Sequence, residues 1–182
     1  MPRLPVALAA LAATCGGAVV AASVSTSFAS PRPHSAVGTF VLTCAQSAGQ
    51  QGRGGEIVVG GVEGLKLAAS SHFSALGPVR GPGGKRYFVV KDFLAVSAAA
   101  APYATVTIVS PRSASLFYGR SGSSFGLALV AASRRSVRLP VCGPRFTGYV
   151  GGFVVTGPTT VTFSVSSPHL VTQRVTVPIG LR

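Results

Sequence analysis

One run in the 182 residues matches a nucleophile motif: Gly122-Ser123-Ser124-Phe125-Gly126 fits G-x-S-x-G, the strand-to-helix turn that presents the serine of an α/β-hydrolase. A working elbow needs a strand before the serine, a helix after it, then an acid and a histidine further along. His169 follows, but no Asp or Glu comes after Asp92. The segment Gly126–Val130 reads as a strand, so the run is expected to be a Ser/Gly hairpin turn. Glycosidase chemistry needs two carboxylates flanking one bond, and Glu56 and Glu63, either side of Gly60-Gly61, form the one pair to consider. They read as surface ionic partners of nearby Arg. Asp92 shares a strand face with Arg86, Phe88 and Val90 and is expected to balance buried or edge charge. The loop Arg80-Gly81-Pro82-Gly83-Gly84-Lys85-Arg86 ends in Gly-Lys as a phosphate loop does. Val79 stands where its first Gly belongs, however, and Arg86 replaces the Ser/Thr that would hold Mg²⁺. What remains is a flexible cationic hairpin tip. His34, His72 and His169 lie outside ligand spacing of one another and of any Cys or acid. No catalytic residue, cofactor or metal is therefore expected.

The cysteines carry structural chemistry instead. Cys15 lies in the N-terminal segment, leaving Cys44 and Cys142. Two cysteines in an exported chain most simply form one disulfide. It would close a loop of about 100 residues, worth roughly 4.7 kcal/mol on the chain-entropy model. No Cys-x-x-Cys is present to suggest a redox or metal pair.

Export is read from the first 29 residues. Arg3 supplies a positive start, Leu4 to Ala13 an apolar stretch, and small residues two cleavage points, after Ala22 or, preferred, after Ala29 with Ser27 at the −3 position. Cleavage after Ala29 leaves residues 30–37, with Pro31-Arg32-Pro33, as an extended arm before a single domain over 38–182. Two other readings stand beside it. Residues 4–30 carry no charge and exceed the roughly 20 needed to cross a bilayer, so the leader could serve as an uncleaved anchor. Cys15 could alternatively be lipidated, although Thr14 is a poor residue before such a site.

From residue 38 the pattern has period two. Val161, Phe163 and Val165 alternate with Thr and Ser; Val175, Val177 and Ile179 alternate with Arg174, Thr176 and Pro178; and Phe40, Leu42 and Cys44 share one face of a first strand. Further strands are predicted over Glu56–Val59, Gly64–Ala69, Tyr87–Leu94, Thr105–Val109, Ser115–Tyr118, Gly126–Val130, Val137–Val141 and Gly152–Val155, with Gly, Pro and Ser turns between them. No sustained helical period follows the leader. Short strands plus one long-range disulfide predict an all-β, antiparallel β-sandwich, immunoglobulin-like in the broad sense but lacking Trp. The disulfide would tie the two sheets, or the first strand to the body.

The C-terminal half carries a wider pattern: Arg138-Leu139-Pro140-Val141-Cys142, then Phe146-Thr147-Gly148-Tyr149-Val150-Gly151-Gly152-Phe153-Val154-Val155, a Gly-Pro turn and the alternating strand from Val161. With Lys85-Arg86-Tyr87-Phe88-Val89-Val90-Lys91 upstream, it resembles a group of secreted actinobacterial proteins. The resemblance covers about two-thirds of residues 30–182 in pattern more than in any single motif. It implies export and a β-sandwich, and no reaction. This chain departs from the group at Thr159-Thr160, where a second Cys pair often begins, and at Arg182, where no Cys ends the chain. A second disulfide is not expected.

Charge supplies the remaining clue. Sixteen Lys and Arg face three acids, a formal net charge of +13, with no basic run longer than Lys85-Arg86 or Arg134-Arg135. Such a field draws a protein towards anionic polymers and weakens with salt, unless it serves solubility alone. Aromatics beside cations, as in Arg86-Tyr87-Phe88 and Arg145-Phe146, are one mark of single-strand binders, but export removes nucleic acid as an expected partner. The expectation is a secreted, non-enzymatic β-sandwich at the cell envelope that binds anionic envelope polymer. The alternatives are a secreted serine hydrolase using Ser124 and a protein–protein module that adds an edge strand to a surface partner.

Overall fold

The structure is a computed structural model that describes residues 38–49, 58–65, 78–81, 84–119 and 127–180. The leader (1–29), the arm (30–37), Cys15, His34, Glu56, His72 and Ser124 lie outside the described residues.

Two five-stranded sheets pack face to face as a β-sandwich. Sheet A contains β1 (Thr39–Val41), β5 (Tyr103–Ser110), β7 (Ser136–Pro140), β9 (Thr159–Ser166) and β10 (Gln173–Ile179), in the order β1-β7-β5-β9-β10. Sheet B contains β2 (Val62–Glu63), β3 (Pro78–Arg80), β4 (Arg86–Ser97), β6 (Ser115–Tyr118) and β8 (Phe146–Val155). Its order is β2-β4-β8-β6, with β3 pairing the other half of β4.

The predicted alternation places the core. Val161, Phe163 and Val165 of β9 and Val175, Val177 and Ile179 of β10 point inward from sheet A, against Val90, Leu94, Val96, Tyr149, Phe153 and Val155 of sheet B. Phe153 and Phe163 meet across the two layers with ring centroids 5.2 Å apart, within the range of favourable aromatic pairs. Burying a side chain of that size contributes about 1.5–3 kcal/mol each.

The pairing departs from the expectation in one place. β1 runs parallel to β7, with Thr39 opposite Ser136 and Val41 opposite Arg138; every other pair is antiparallel. Parallel pairing brings the C-terminal ends of both strands together, and Cys44 and Cys142 follow those ends. They form the expected disulfide, with Cα atoms 5.7 Å apart. Of the two roles considered, it ties the first strand to the body. Cys44 itself opens a 3-10 turn (Cys44–Gln46) instead of continuing the strand.

A second departure is α1 (Leu127–Ala132), where Gly126–Val130 reads as strand. A short apolar run has no period that separates strand from helix, and its Leu and Ala favour the helix. Val130 packs with Val89, Phe117 and Val154 on the outer face of sheet B. After the helix, Arg134 exchanges two backbone hydrogen bonds with Leu116 (2.6 and 2.8 Å), covering the open edge of β6. Upstream, the strand predicted over Gly64–Ala69 is displaced: β2 is Val62–Glu63, Gly64 and Leu65 form the turn after it, and 66–69 lie outside the described residues. Of Glu56–Val59, Val59 makes an isolated bridge to Val62.

Candidate functional site

Two of the three acids are withdrawn from the surface. Glu63 is 4 % exposed and Asp92 8 %, and Glu56 lies outside the described residues. Glu63 pairs with Ala95 across β2 and β4. Asp92 is three residues before Ala95 and so points to the opposite face of the sheet. These two carboxylates therefore cannot flank one bond, and the geometry that paired-carboxylate hydrolysis needs is not available to them.

Asp92 points into the sandwich, and the reason lies two strands away. Gly151 stands between Asp92 on β4 and Tyr118 on β6 in one cross-strand row. Its missing side chain leaves space that the Tyr118 ring fills; a Cβ there would strike that ring and the Phe117 carbonyl. Tyr118 thus reaches over β8 and donates its hydroxyl hydrogen to Asp92 Oδ2 at 3.4 Å. Burial, and then the negative charge of Asp92, hold the Tyr118 hydroxyl well above its usual value of 10.0. Next along β8, Gly152 repeats the device on the outer face, where Phe117 crosses towards Lys91. Asp92 is accordingly a buried structural carboxylate that orients an aromatic.

The disulfide corner is built the same way. Tyr149 donates to the Pro140 carbonyl at 2.6 Å and lies 3.5 Å from Cys142 Sγ. The Cys142 N–H donates to Thr147 Oγ1 at 2.7 Å. Ala48 and Gly49 exchange backbone bonds with Gly148, so the chain leaving β1 is fastened to both sheets. Burial pushes the Tyr149 hydroxyl up to about 12. Neither tyrosine is poised to move a proton near neutrality.

Around these buried groups the exposed charge is cationic. Arg80, Lys85, Arg86, Arg112, Arg145 and Arg174 are exposed, and no described carboxylate side chain is exposed beside them. Some other arginines have structural work. Arg135 donates to the carbonyls of Ile108, Val109 and Pro111 at 2.6–3.0 Å, and Arg138 lies 4.3 Å over the Tyr103 ring.

The Arg80–Arg86 loop is a hairpin. Arg80 stands directly opposite Arg86 in the β3–β4 register, and Gly81 N–H donates to the Lys85 carbonyl at 2.7 Å. Gly81 lacks the side chain that would strike the Tyr87 ring, which packs across it. This arginine pair is the feature that a reading of single residues misses. Its signal was the symmetric placement of the two arginines about a Gly/Pro turn. The outer face of sheet A is different again: hydroxyls run from Thr39 through Ser136, Thr107 and Ser164 to Arg174 across all five strands.

The serine motif remains outside the described residues. β6 ends at Tyr118 and α1 begins at Leu127, so a strand does precede the motif and a helix does follow it. β6 lies at the end of its sheet's strand order, and the exposed His169 has no acid after Asp92 to orient it. Among the described residues no three His, Cys, Asp or Glu side chains gather to hold a metal. No described helix is long and apolar enough to cross a membrane, and the disulfide points to an oxidising, extracytoplasmic setting. No family model, no curated protein and no solved structure matches this chain.

Proposed function

We propose that the protein is an exported, non-enzymatic β-sandwich that works at the cell envelope by binding anionic polymer. The observation that carries this reading is the separation of its charges. The whole sequence carries a net charge of +13, and the two described carboxylates, on opposite faces of sheet B, are both buried. Among the described residues no exposed carboxylate stands beside the exposed arginines, and an oxyanion on an extended chain meets attraction on several sides. The disulfide and the resemblance to secreted actinobacterial proteins favour an envelope polymer, bearing phosphate or carboxylate, over nucleic acid. We read the sandwich as immunoglobulin-like in the broad sense. Support for that comes from its two facing sheets and from Tyr149 bracing the β7–β8 corner.

The test is co-sedimentation of the exported protein with purified actinobacterial envelope material at low and at high salt. Binding at low salt that collapses at high salt is the expected result. Absence of binding at either salt would leave the positive charge as a solubility feature and end the proposal.

A further inference from the structure

Where on the surface the polymer is held follows from the β3–β4 hairpin. Opposite residues of an antiparallel pair point to the same face, and like charges directly opposite are destabilising. Arg80 and Arg86 are such a pair. The Gly81–Lys85 bond makes 81/85 the hydrogen-bonded position, which puts Arg80/Arg86 at the non-hydrogen-bonded one. Strands approach more closely there, with Cα atoms about 4.5 Å apart. Both side chains are exposed. Neither guanidinium has a hydrogen-bond or ion-pair partner among the described residues. The hairpin nevertheless does not rely on these two residues for its attachment. Val79 and Tyr87, on its other face, pack against the apolar cluster of Val89, Phe117, Val130 and Val154. One residue pair further along, Phe88 turns inward against the main core. The result is an anchored hairpin that carries two exposed arginines directly opposite one another beside its turn.

Resting on the polymer-binding reading above, we propose that the hairpin tip is the polymer's contact site, with Arg80 and Arg86 gripping one oxyanion between them. A guanidinium presents a planar fork of N–H donors that matches a phosphate or carboxylate through two parallel bonds. Two forks converging on one anion replace the repulsion between like charges with shared attraction. Lys85, exposed at the same turn, adds charge for a neighbouring anion on the chain.

The experiment uses the full exported protein with two probes, long-chain inorganic polyphosphate and polygalacturonate, which separate phosphate from carboxylate as the anion recognised. Arg80→Gln/Arg86→Gln is compared with Arg145→Gln/Arg174→Gln, which removes the same charge elsewhere. Arg145 lies at the opposite end of β4 and β8, and Arg174 on sheet A. The hairpin variant should lose at least about tenfold in affinity for the preferred probe, and its salt dependence should flatten by about one unit of slope per contact removed. The control should lose less than about threefold, as expected of a distributed field. Because the substitution relieves repulsion, the denaturation midpoint of the hairpin variant should equal or exceed the parent's, which also shows that it is folded. Equal losses in the two variants would overturn the hairpin assignment and leave polymer binding intact. Failure of the parent protein to bind either probe at low salt would overturn both.

Discussion

Along β9 the side chains alternate, Val161, Phe163 and Val165 inward and Thr160, Thr162, Ser164 and Ser166 outward. Along β8 no such division exists: from Gly151 to Val155 every residue is buried. The difference comes from what covers each sheet. Sheet A has one face in the core and one bearing hydroxyls. Sheet B is covered on its inner face by sheet A and on part of its outer face by α1, through Val130. A strand buried on both sides has no reason to alternate. It gains instead from glycines that let neighbouring aromatics lie flat across it, Tyr118 over Gly151 and Phe117 over Gly152. Sheet A is thus specified by polarity and sheet B by shape, and the two should respond differently to substitution.

The largest effect is expected at Gly152. An added Cβ would be driven into the Val90 carbonyl oxygen and the Phe117 ring, and the φ of +154° is itself unfavourable for a side chain. Backbone on the adjacent strand cannot swing aside, so Gly152→Ala should cost more than about 4 kcal/mol in urea denaturation or prevent folding. Gly157, with nothing within 4 Å of the corresponding position, is the control, and Gly157→Ala should stay within about 0.5 kcal/mol. Similar losses at the two sites would break the claim that sheet B is specified by shape.

Next in size is the disulfide. It spans 98 residues of sequence, and Cys44→Ser/Cys142→Ser should lower stability by about 2–5 kcal/mol. β1 contributes three residues to sheet A and, among the described strands, pairs with β7 alone. Hydrogen exchange in the variant should therefore rise first at β1. An increase that began in β8 instead would mean that the corner around Tyr149, and not the sheet A edge, depends on the bond.

A smaller effect appears at high pH. The folded Tyr118 and Tyr149 hydroxyls titrate above the ordinary value of 10.0, Tyr149 at about 12, whereas the unfolded chain releases those protons near 10. Above pH 10 the unfolded state therefore binds fewer protons than the folded one, and stability falls as pH rises. The contribution is complete below pH 10 and is lost on the way up through 12. Tyr149→Phe removes one of the two titrations, so its stability should decline less steeply than the parent's between pH 10 and 12, whatever its starting value. An unchanged slope would mean that Tyr149 ionises normally in the folded protein.

The same contrast explains what could be read from residues alone. β9, β10, β5 and the disulfide were legible because period-two alternation and a two-cysteine count each admit few solutions. α1 was not, since Leu127–Ala132 buries Val130 against sheet B with a run too short to display a helical period. The parallel pairing of β1 depends on where the chain re-enters the sheet, which no local pattern encodes. Asp92 could be placed on the Val90 face of β4 from spacing. Its partner Tyr118 could not, because the contact passes over Gly151 from a strand that is not adjacent. The Arg80–Arg86 pair lay in between: the Gly/Pro turn predicts the hairpin, but only the register sets the arginines face to face.

The smallest expected effect sharpens the comparison from the side of sheet A. Thr162 and Thr176 face each other on its outer surface with their hydroxyl oxygens 3.1 Å apart. Water can replace that bond, and Val keeps both the branched shape and the strand preference, so Thr162→Val/Thr176→Val should change stability by no more than about 0.5 kcal/mol in either direction. The mirror substitution one residue away, Val161→Thr, exchanges the same atoms in the opposite sense but places the hydroxyl in the core, where Val161 is fully buried. An unpaired hydroxyl there costs about 1–3 kcal/mol on mutational scales. A difference of at least about 1 kcal/mol between these nearly isosteric exchanges would locate the specification of sheet A in which face carries the hydroxyl. Equal effects would mean that the alternation is tolerated by the sheet and does not define it.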